Sequence, residues 1–329
     1  MSDAANAACA LAWRPTADRP ALAKRARLLA RTRAFFEARG VLEVETPILS
    51  AAAVTDPQIE SLATRVRGLE GQCFLSTSPE FAMKRLLAAG SGDIYQLCKV
   101  FRDGERGRWH NPEFTLLEWY RLGFDDAALM SEVEALLREL LAPERAIGPA
   151  ERLSYAEALA RHAGVDPHAA SDAELERAAE RHGVAVSAAL DRDARLDLLM
   201  GLVVGPRLGR DRPCFVCDYP ASQASLARLK SGSPPVAARF ELYLDGIELA
   251  NGFHELADAR EQRARFVRDL ATRRERGQSE PPLDERLLAA LDSGLPDCAG
   301  VALGFDRLIA LALGADRLAA ALAIPIERA

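Results

Sequence analysis

The sequence predicts an α+β domain in which an antiparallel β-sheet is flanked by helices. Three observations carry that reading. Residues 93–124 run strand, polar loop, strand. Residues 240–244 and 247–250 alternate on either side of Asp245-Gly246, a pair suited to the type I′ turn, in which both central residues take positive φ. Strands therefore fall in hairpins with helices grouped between them, without the regular β-α-β alternation of a parallel sheet. Neither glycine-rich phosphate-binding fingerprint, of dinucleotide-binding or of P-loop proteins, occurs.

Composition agrees with a globular chain: 329 residues, 49% apolar and 27% charged, enough for one large domain or two. No apolar run approaches the ~20 residues that span a bilayer. The first residues lack the basic segment and long apolar stretch of a signal peptide. The reading is a cytoplasmic protein without membrane association. A net charge of −6 argues against a protein whose main work is to wrap nucleic acid. The six cysteines (9, 73, 98, 214, 217 and 298) are too sparse for a disulfide scaffold. Cys214 and Cys217 form a CxxC without further paired ligands, which reads as core thiols in a strand.

The elements follow in order. Residues 1–17 are small and polar and read as a flexible tail; residues 18–329 read as the catalytic-size domain. Asp18 is a candidate N-cap with Pro20 in the first turn. Leu22, Leu29 and Phe36 recur at helical spacing, and Gly40 closes the helix. Lys24, Arg25, Arg27, Arg31 and Arg33 read as its solvated face rather than an RNA surface. Residues 41–46 alternate as a strand, and Pro47 confines its end to an edge or an interface. A strand is expected near 61–66, and another at 74–80 leading into a helix over 80–89. Residues 126–210 turn helical and polar, with breaks at Pro143, Gly148-Pro149, Gly164, Pro167 and Gly183, and read as a helical insertion without chemistry. Residues 214–229 read strand then helix. A helix is expected over 258–276, another begins at Pro281-Pro282, and 300–303 form a strand that turns at Gly304 into an apolar helix over 306–313.

Three segments carry chemistry. Period two puts Gln96, Cys98, Val100 and Arg102 on one face of a strand, and Phe114, Leu116, Glu118 and Tyr120 on one face of the next. That surface suits a charged ligand: Arg for phosphate, an aromatic face for a purine, a carboxylate for an ammonium. Glu248 and Glu255 flank an Asn251-Gly252 bend; if the chain folds back there, the two carboxylates can hold Mg²⁺ beside a triphosphate. Gly304 to Arg307 sits where a strand enters a helix, where the N-terminal dipole and Arg307 both favour an anion.

Together these segments resemble the class II aminoacyl-tRNA synthetase catalytic domain. Residues 39–49 (RGVLEVETPIL) resemble motif 1, residues 100–118 (VFRDGERGRWHNPEFTLLE) motif 2 of the lysyl branch, and residues 300–307 (GVALGFDR) motif 3. The resemblance spans about residues 20–329, and three ordered motifs make it specific. It implies ATP as substrate, Mg²⁺, and a homodimer through motif 1. Motif 1 begins too early to leave room for the anticodon-binding domain of lysyl-tRNA synthetases. Residues 77–80, 110–121 and 246–256 are most similar to a family of truncated lysyl-synthetase paralogues that attach (R)-β-lysine to elongation factor P. The implied reaction forms a β-lysyl adenylate and pyrophosphate, then passes the β-lysyl group to a lysine side chain of elongation factor P. tRNA is then not the acceptor. A minimal lysyl-tRNA synthetase-like enzyme using α-lysine is the alternative, and a non-catalytic amino-acid sensor a third reading.

The resemblance also implies roles. Arg102 grips the α-phosphate, and Arg307 the γ-phosphate side, with Gly304 leaving room for the nucleotide. Asn111 and Phe114 hold the adenine side; Glu248 and Leu249 contact ATP, with Glu248 and Glu255 toward Mg²⁺. Ser78, Pro79, Glu80, Tyr120 and Glu255 line the amino-acid pocket, and Glu118 reaches the amine. Ala302 stands where lysyl-tRNA synthetases usually have Gly, and one methyl in a tight pocket shifts selectivity by ~1–3 kcal/mol. One departure concerns ATP: the family's Arg-Asn-Glu is here Arg102-Asp103-Gly104-Glu105. Gly104 offers no side chain to the adenine, so Glu105 or Asp103 substitutes or the contact is lost.

Overall fold

The computed structural model describes residues 13–142, 145–187 and 190–329. Helix α1 (Arg19–Glu37) starts as expected: Asp18 accepts from Ala21 N at 2.9 Å, with Pro20 in the first turn. The strands are β1 (Leu42–Glu43), β2 (Leu49–Ser50), β3 (Ala63–Thr64), β4 (Cys73–Leu75), β5 (Ile94–Phe101), β6 (Glu113–Leu122), β7 (Glu151–Ser154), β8 (Cys214–Pro220), β9 (Leu229–Lys230), β10 (Val236–Leu244), β11 (Ile247–His254) and β12 (Cys298–Gly304). The other helices are α2 (Glu80–Ala88), α3 (Asp126–Leu141), α4 (Tyr155–Ala163), α5 (Asp172–Arg181), α6 (Arg192–Leu199), α7 (Ala259–Glu275), α8 (Glu285–Gly294) and α9 (Phe305–Ala312).

The main sheet runs β1-β5-β6-β12-β11-β10-β8-β7, with β9 on β10. Its centre is antiparallel, and only the outer pairs β1/β5 and β7/β8 are parallel. A small sheet, β2-β4-β3, stands beside it. The β10–β11 hairpin turns at Asp245 (φ 55°) and Gly246 (φ 77°), the positive-φ pair of a type I′ turn. The opposed faces of the sheet build two cores. Trp119, Phe240 and Phe305 pack beneath it with α1, α3 and α9. Tyr120, Met83 and Leu87 lie on the other face, with α2, α4 and α8. Full burial of each such apolar side chain contributes about 1.5–3 kcal/mol.

Several expectations change. Residues 1–12 of the proposed tail lie outside the described residues; Thr16 and Ala17 are tied down, donating to Ala323 O and Leu322 O at 2.8 and 3.2 Å. The strand expected over 41–46 shortens to β1, at the sheet edge ahead of Pro47. After β8 the chain makes one 3-10 turn (Ala221–Gln223) instead of a helix, because Ser225 adopts φ 49°. Residues 126–210 are mostly helical, as expected, and pack closely on the rest: α3 fills the lower core with Val133, Leu136, Leu137 and Leu140, and β7 joins the main sheet. The basic residues of α1 divide. Arg25 pairs with buried Asp306 at 2.6 Å and Lys24 donates to Ala312 O at 2.8 Å, whereas Arg27 and Arg33 stay on the solvated face, Arg33 pairing there with Glu43 at 3.1 Å. Cys214 is buried in β8 and Cys217 partly so, as core thiols.

Candidate active site

A cavity of about 210 Å³ opens on the Tyr120 face of the sheet. Strand register builds it. Gln96 pairs with Glu118, Cys98 with Leu116 and Val100 with Phe114, so the two faces read from period two are one surface. Ala302 lies between Glu118 on β6 and Asn251 on β11. Fourteen of the sequence-predicted residues line this cavity: Ser78, Glu80, Arg102, Glu105, Asn111, Phe114, Glu118, Tyr120, Glu248, Leu249, Glu255, Ala302, Gly304 and Arg307. Pro79 faces a neighbouring cavity behind α2, and Asp103 and Gly104 face an outer groove.

One end is carboxylate-rich. Glu118 is buried and accepts from Ser78 Oγ at 2.8 Å and Tyr120 OH at 2.7 Å. Burial, reinforced by the charge of Glu80, pushes its carboxyl up to about 8. Lys84 Nζ lies 2.7 Å from Glu80 and 2.6 Å from Glu255. Burial alone would lower this lysine, but the charges of Glu255 and Glu80 outweigh it and hold it raised. Burial likewise raises Glu255 to about 7 against the pull of Lys84. Neither Glu255 oxygen accepts a well-aligned hydrogen bond, so the contact with Lys84 is an ion pair. Gly300 is the floor here. A Cβ on it would overlap the Tyr120 ring and lie 2.6 Å from Glu255 Oε1.

The other end is cationic. Arg102 Nε donates to Thr77 O at 3.4 Å, and its guanidinium lies 5.1 Å from the Phe114 ring centroid. Arg307, in the first turn of α9, donates to Trp109 O at 3.2 Å, Glu248 O at 2.9 Å and His110 Nε2 at 2.9 Å. Recession from solvent and the charge of Arg307 hold His110 below the ordinary imidazole value, against the pull of Glu105, which suits its ring nitrogen to accept from Arg307. A Cβ on Gly304 would meet only ordinary contacts, the nearest at 3.6 Å, so no protein neighbour demands the glycine.

One expectation is corrected and one is narrowed. The first is the metal pair. Asn251-Gly252 makes no bend; it lies inside the continuous strand β11. Gly252 is there because the Phe240 ring fills the space a Cβ would take. Glu248, on β11, and Glu255, one residue past its end, therefore sit seven residues apart along extended chain, about 23 Å at the ~3.3 Å rise of a strand. Glu255 is also held by Lys84. They cannot share an ion whose ligands lie at about 2.1 Å. Recession from solvent, and after it the charge of Glu241 on the neighbouring strand β10, raise Glu248 against the pull of Arg307 and Arg102. Among the described residues no three metal-ligating side chains converge, so this pair fits an ion only if a triphosphate supplies further oxygens.

Asn111 lines the cavity as expected; its amide also donates to Glu113 O at 2.5 Å and accepts from Ile326 N at 3.0 Å, which ties the C-terminal segment to motif 2. The second is the motif 2 departure. Gly104 takes φ 75° in a turn closed by Asp103 Oδ1 on Gly104 N at 2.8 Å, a conformation that favours glycine. Asp103 is spent there, whereas Glu105 faces inward, 3.3 Å from His110 and 3.9 Å from Arg102. Sequence reasoning missed Lys84, Gly300, Asn251 and Glu241. Of these only Lys84 left a local trace, four residues after Glu80 on one helix face.

Comparisons agree with this geometry. The family model of class II tRNA synthetases (D, K and N) matches residues 5–328. The elongation factor P–(R)-β-lysine ligase of Pectobacterium atrosepticum is 52% identical over 323 residues, covering 96% of this chain and 98% of that protein. The ligase of the same name from Salmonella arizonae is 50% identical over the same shares. No helix among the described residues is long and apolar enough to cross a membrane. With motifs 2 and 3 on the antiparallel centre of the sheet around the bipolar cavity and motif 1 at the sheet's edge, the chain belongs to the class II tRNA synthetase family, alongside the elongation factor P–(R)-β-lysine ligases.

Proposed function

We propose that this chain is an ATP-dependent, AMP-forming ligase that activates (R)-β-lysine as its adenylate and transfers it to a lysine side chain of elongation factor P. The observation that carries this reading is the polarity of the cavity, with buried carboxylates at one end and two arginines at the other. The curated relatives' names supply the amino acid and the partner.

In the first step the β-lysine carboxylate attacks the α-phosphorus, and pyrophosphate leaves with the bonding electrons. The nucleophile is already an anion, so the protein supplies alignment and charge stabilisation rather than a base. Arg102 faces the developing charge at the α-phosphate, and Arg307, aimed by Trp109, Glu248 and His110, faces the outer phosphates. Phe114 offers its ring to the adenine, and Glu105 takes the place of the glutamate that Gly104 lacks. Mg²⁺ accompanying the nucleotide would offset phosphate charge, and Glu248 with Glu241 is the pair suited to face it. In the second step the acceptor amine attacks the adenylate carbonyl carbon, and AMP leaves. Ala302 narrows the pocket beside Glu118, which favours a β- over an α-amino acid.

The molecule works as a homodimer in the cytoplasm. Support for the dimer is the apolar surface around motif 1, where Leu42, Ile48 and Leu49 are exposed at 56%, 39% and 36%. ATP–pyrophosphate exchange with (R)-β-lysine and α-lysine, followed by transfer to elongation factor P or to bulk tRNA, tests the activity. Preference for α-lysine with label on tRNA would replace this reading with a minimal synthetase.

A further inference from the structure

The amino-acid end of the cavity holds three carboxylates, Glu80, Glu118 and Glu255. Packed against them is one further charged group, Lys84, which is 1% exposed. Its ammonium contacts Glu80 at 2.7 Å on its own helix and Glu255 at 2.6 Å just past the end of β11. Glu118 on β6 is left with neutral partners, Ser78 and Tyr120. The other groups facing this cluster add no free charge. Arg228 is paired with Asp297 at 2.6 Å, and Cys298 on β12 is a buried thiol.

We infer that Lys84 is a specificity-determining residue: its buried ammonium sets the net charge of the amino-acid pocket at −2 once its three carboxylates are ionised, as they are around a bound substrate, and −2 is the count that two ammonium groups neutralise. This rests on the proposed reading that the substrate is a diamino acid. A buried unpaired charge is costly, so a pocket selects the ligand that closes its balance. Without Lys84 the three carboxylates carry −3. They reach the matching count only by keeping a proton. With Lys84 present and Glu80 neutral, the count falls to −1, and a single ammonium closes it.

The test compares wild type, Lys84→Met, Glu80→Gln and the double variant in pyrophosphate exchange. The substrates are (R)-β-lysine and 3-aminohexanoate, the same chain without its terminal amine. Lys84→Met is expected to lose about a hundredfold in kcat/KM for β-lysine, and its optimum shifts to lower pH because with substrate bound it must keep a carboxyl proton that wild type releases. Glu80→Gln shifts preference toward 3-aminohexanoate. The double variant restores −2 and regains about tenfold or more over Lys84→Met, with the wild-type pH profile. A Lys84 that merely ties α2 to the sheet predicts otherwise: lower activity with an unchanged pH profile, no shift in preference for Glu80→Gln, and a double variant no better than the single. That pattern overturns the inference. If Lys84→Met does not fold, the double variant decides alone by keeping or losing the preference for β-lysine. Wild type that exchanges with α-lysine only overturns the functional reading alone, since both diamines carry the same charge and the variants are then compared with α-lysine. Wild-type exchange with neither diamine overturns both.

Discussion

Glu118 enters the reaction with its carboxyl raised to about 8 by burial and by the charge of Glu80. At neutral pH it is largely protonated in the free protein, and an incoming ammonium favours its ionised form. Binding of β-lysine is therefore expected to release a proton, and the affinity to rise as pH increases toward about 8. Glu255, raised to about 7, adds to the loss at lower pH. Calorimetry in buffers of different ionisation enthalpy measures the release; Glu118→Gln is expected to abolish most of it. At the other end, Glu105→Ala should raise the KM for ATP about 2–10-fold, the worth of one hydrogen bond, and leave the KM for β-lysine unchanged. An unchanged ATP KM contradicts the role of Glu105. Arg102 and Glu118 were legible in the sequence because each sits on a strand whose period can be counted. Glu241 was not, because it reaches Glu248 across a hairpin with a register shift beside Leu242. The Asn251-Gly252 pair misled for a related reason: its glycine answers to Phe240 on the next strand, not to a turn.

Among the elements, β12 carries the tightest constraint on the site. Gly300 lies where the Tyr120 ring and Glu255 converge, so Gly300→Ala must displace one of them. The variant is expected to lose β-lysine use by ~10²-fold or more, as ~1 Å misplacement of a positioned substrate does. Its ATP affinity should persist, since Arg102 and Arg307 lie at the other end. Equal loss of both would mean that β12 itself had moved. Strand pairs joined by short turns, β5–β6 and β10–β11, were readable because local alternation and turn residues specify them. The parallel edge β7–β8 was not, since its partners are 63 residues apart and neither carries a turn signal. The truncated strand β1 and the missing helix after β8 were set by Pro47 and by the backbone of Ser225, which alternation does not report.

For the whole molecule, the proposed dimer would cover the exposed Leu42, Ile48 and Leu49, and sedimentation at micromolar concentration is expected to give a dimer. A monomer there would contradict the role assigned to motif 1. The most direct test of the central claim is ATP–pyrophosphate exchange with (R)-β-lysine and α-lysine side by side, chased with elongation factor P and with bulk tRNA. The account predicts faster exchange with (R)-β-lysine and label on elongation factor P. Exchange confined to α-lysine with label on tRNA, or no exchange with either amino acid, would contradict it.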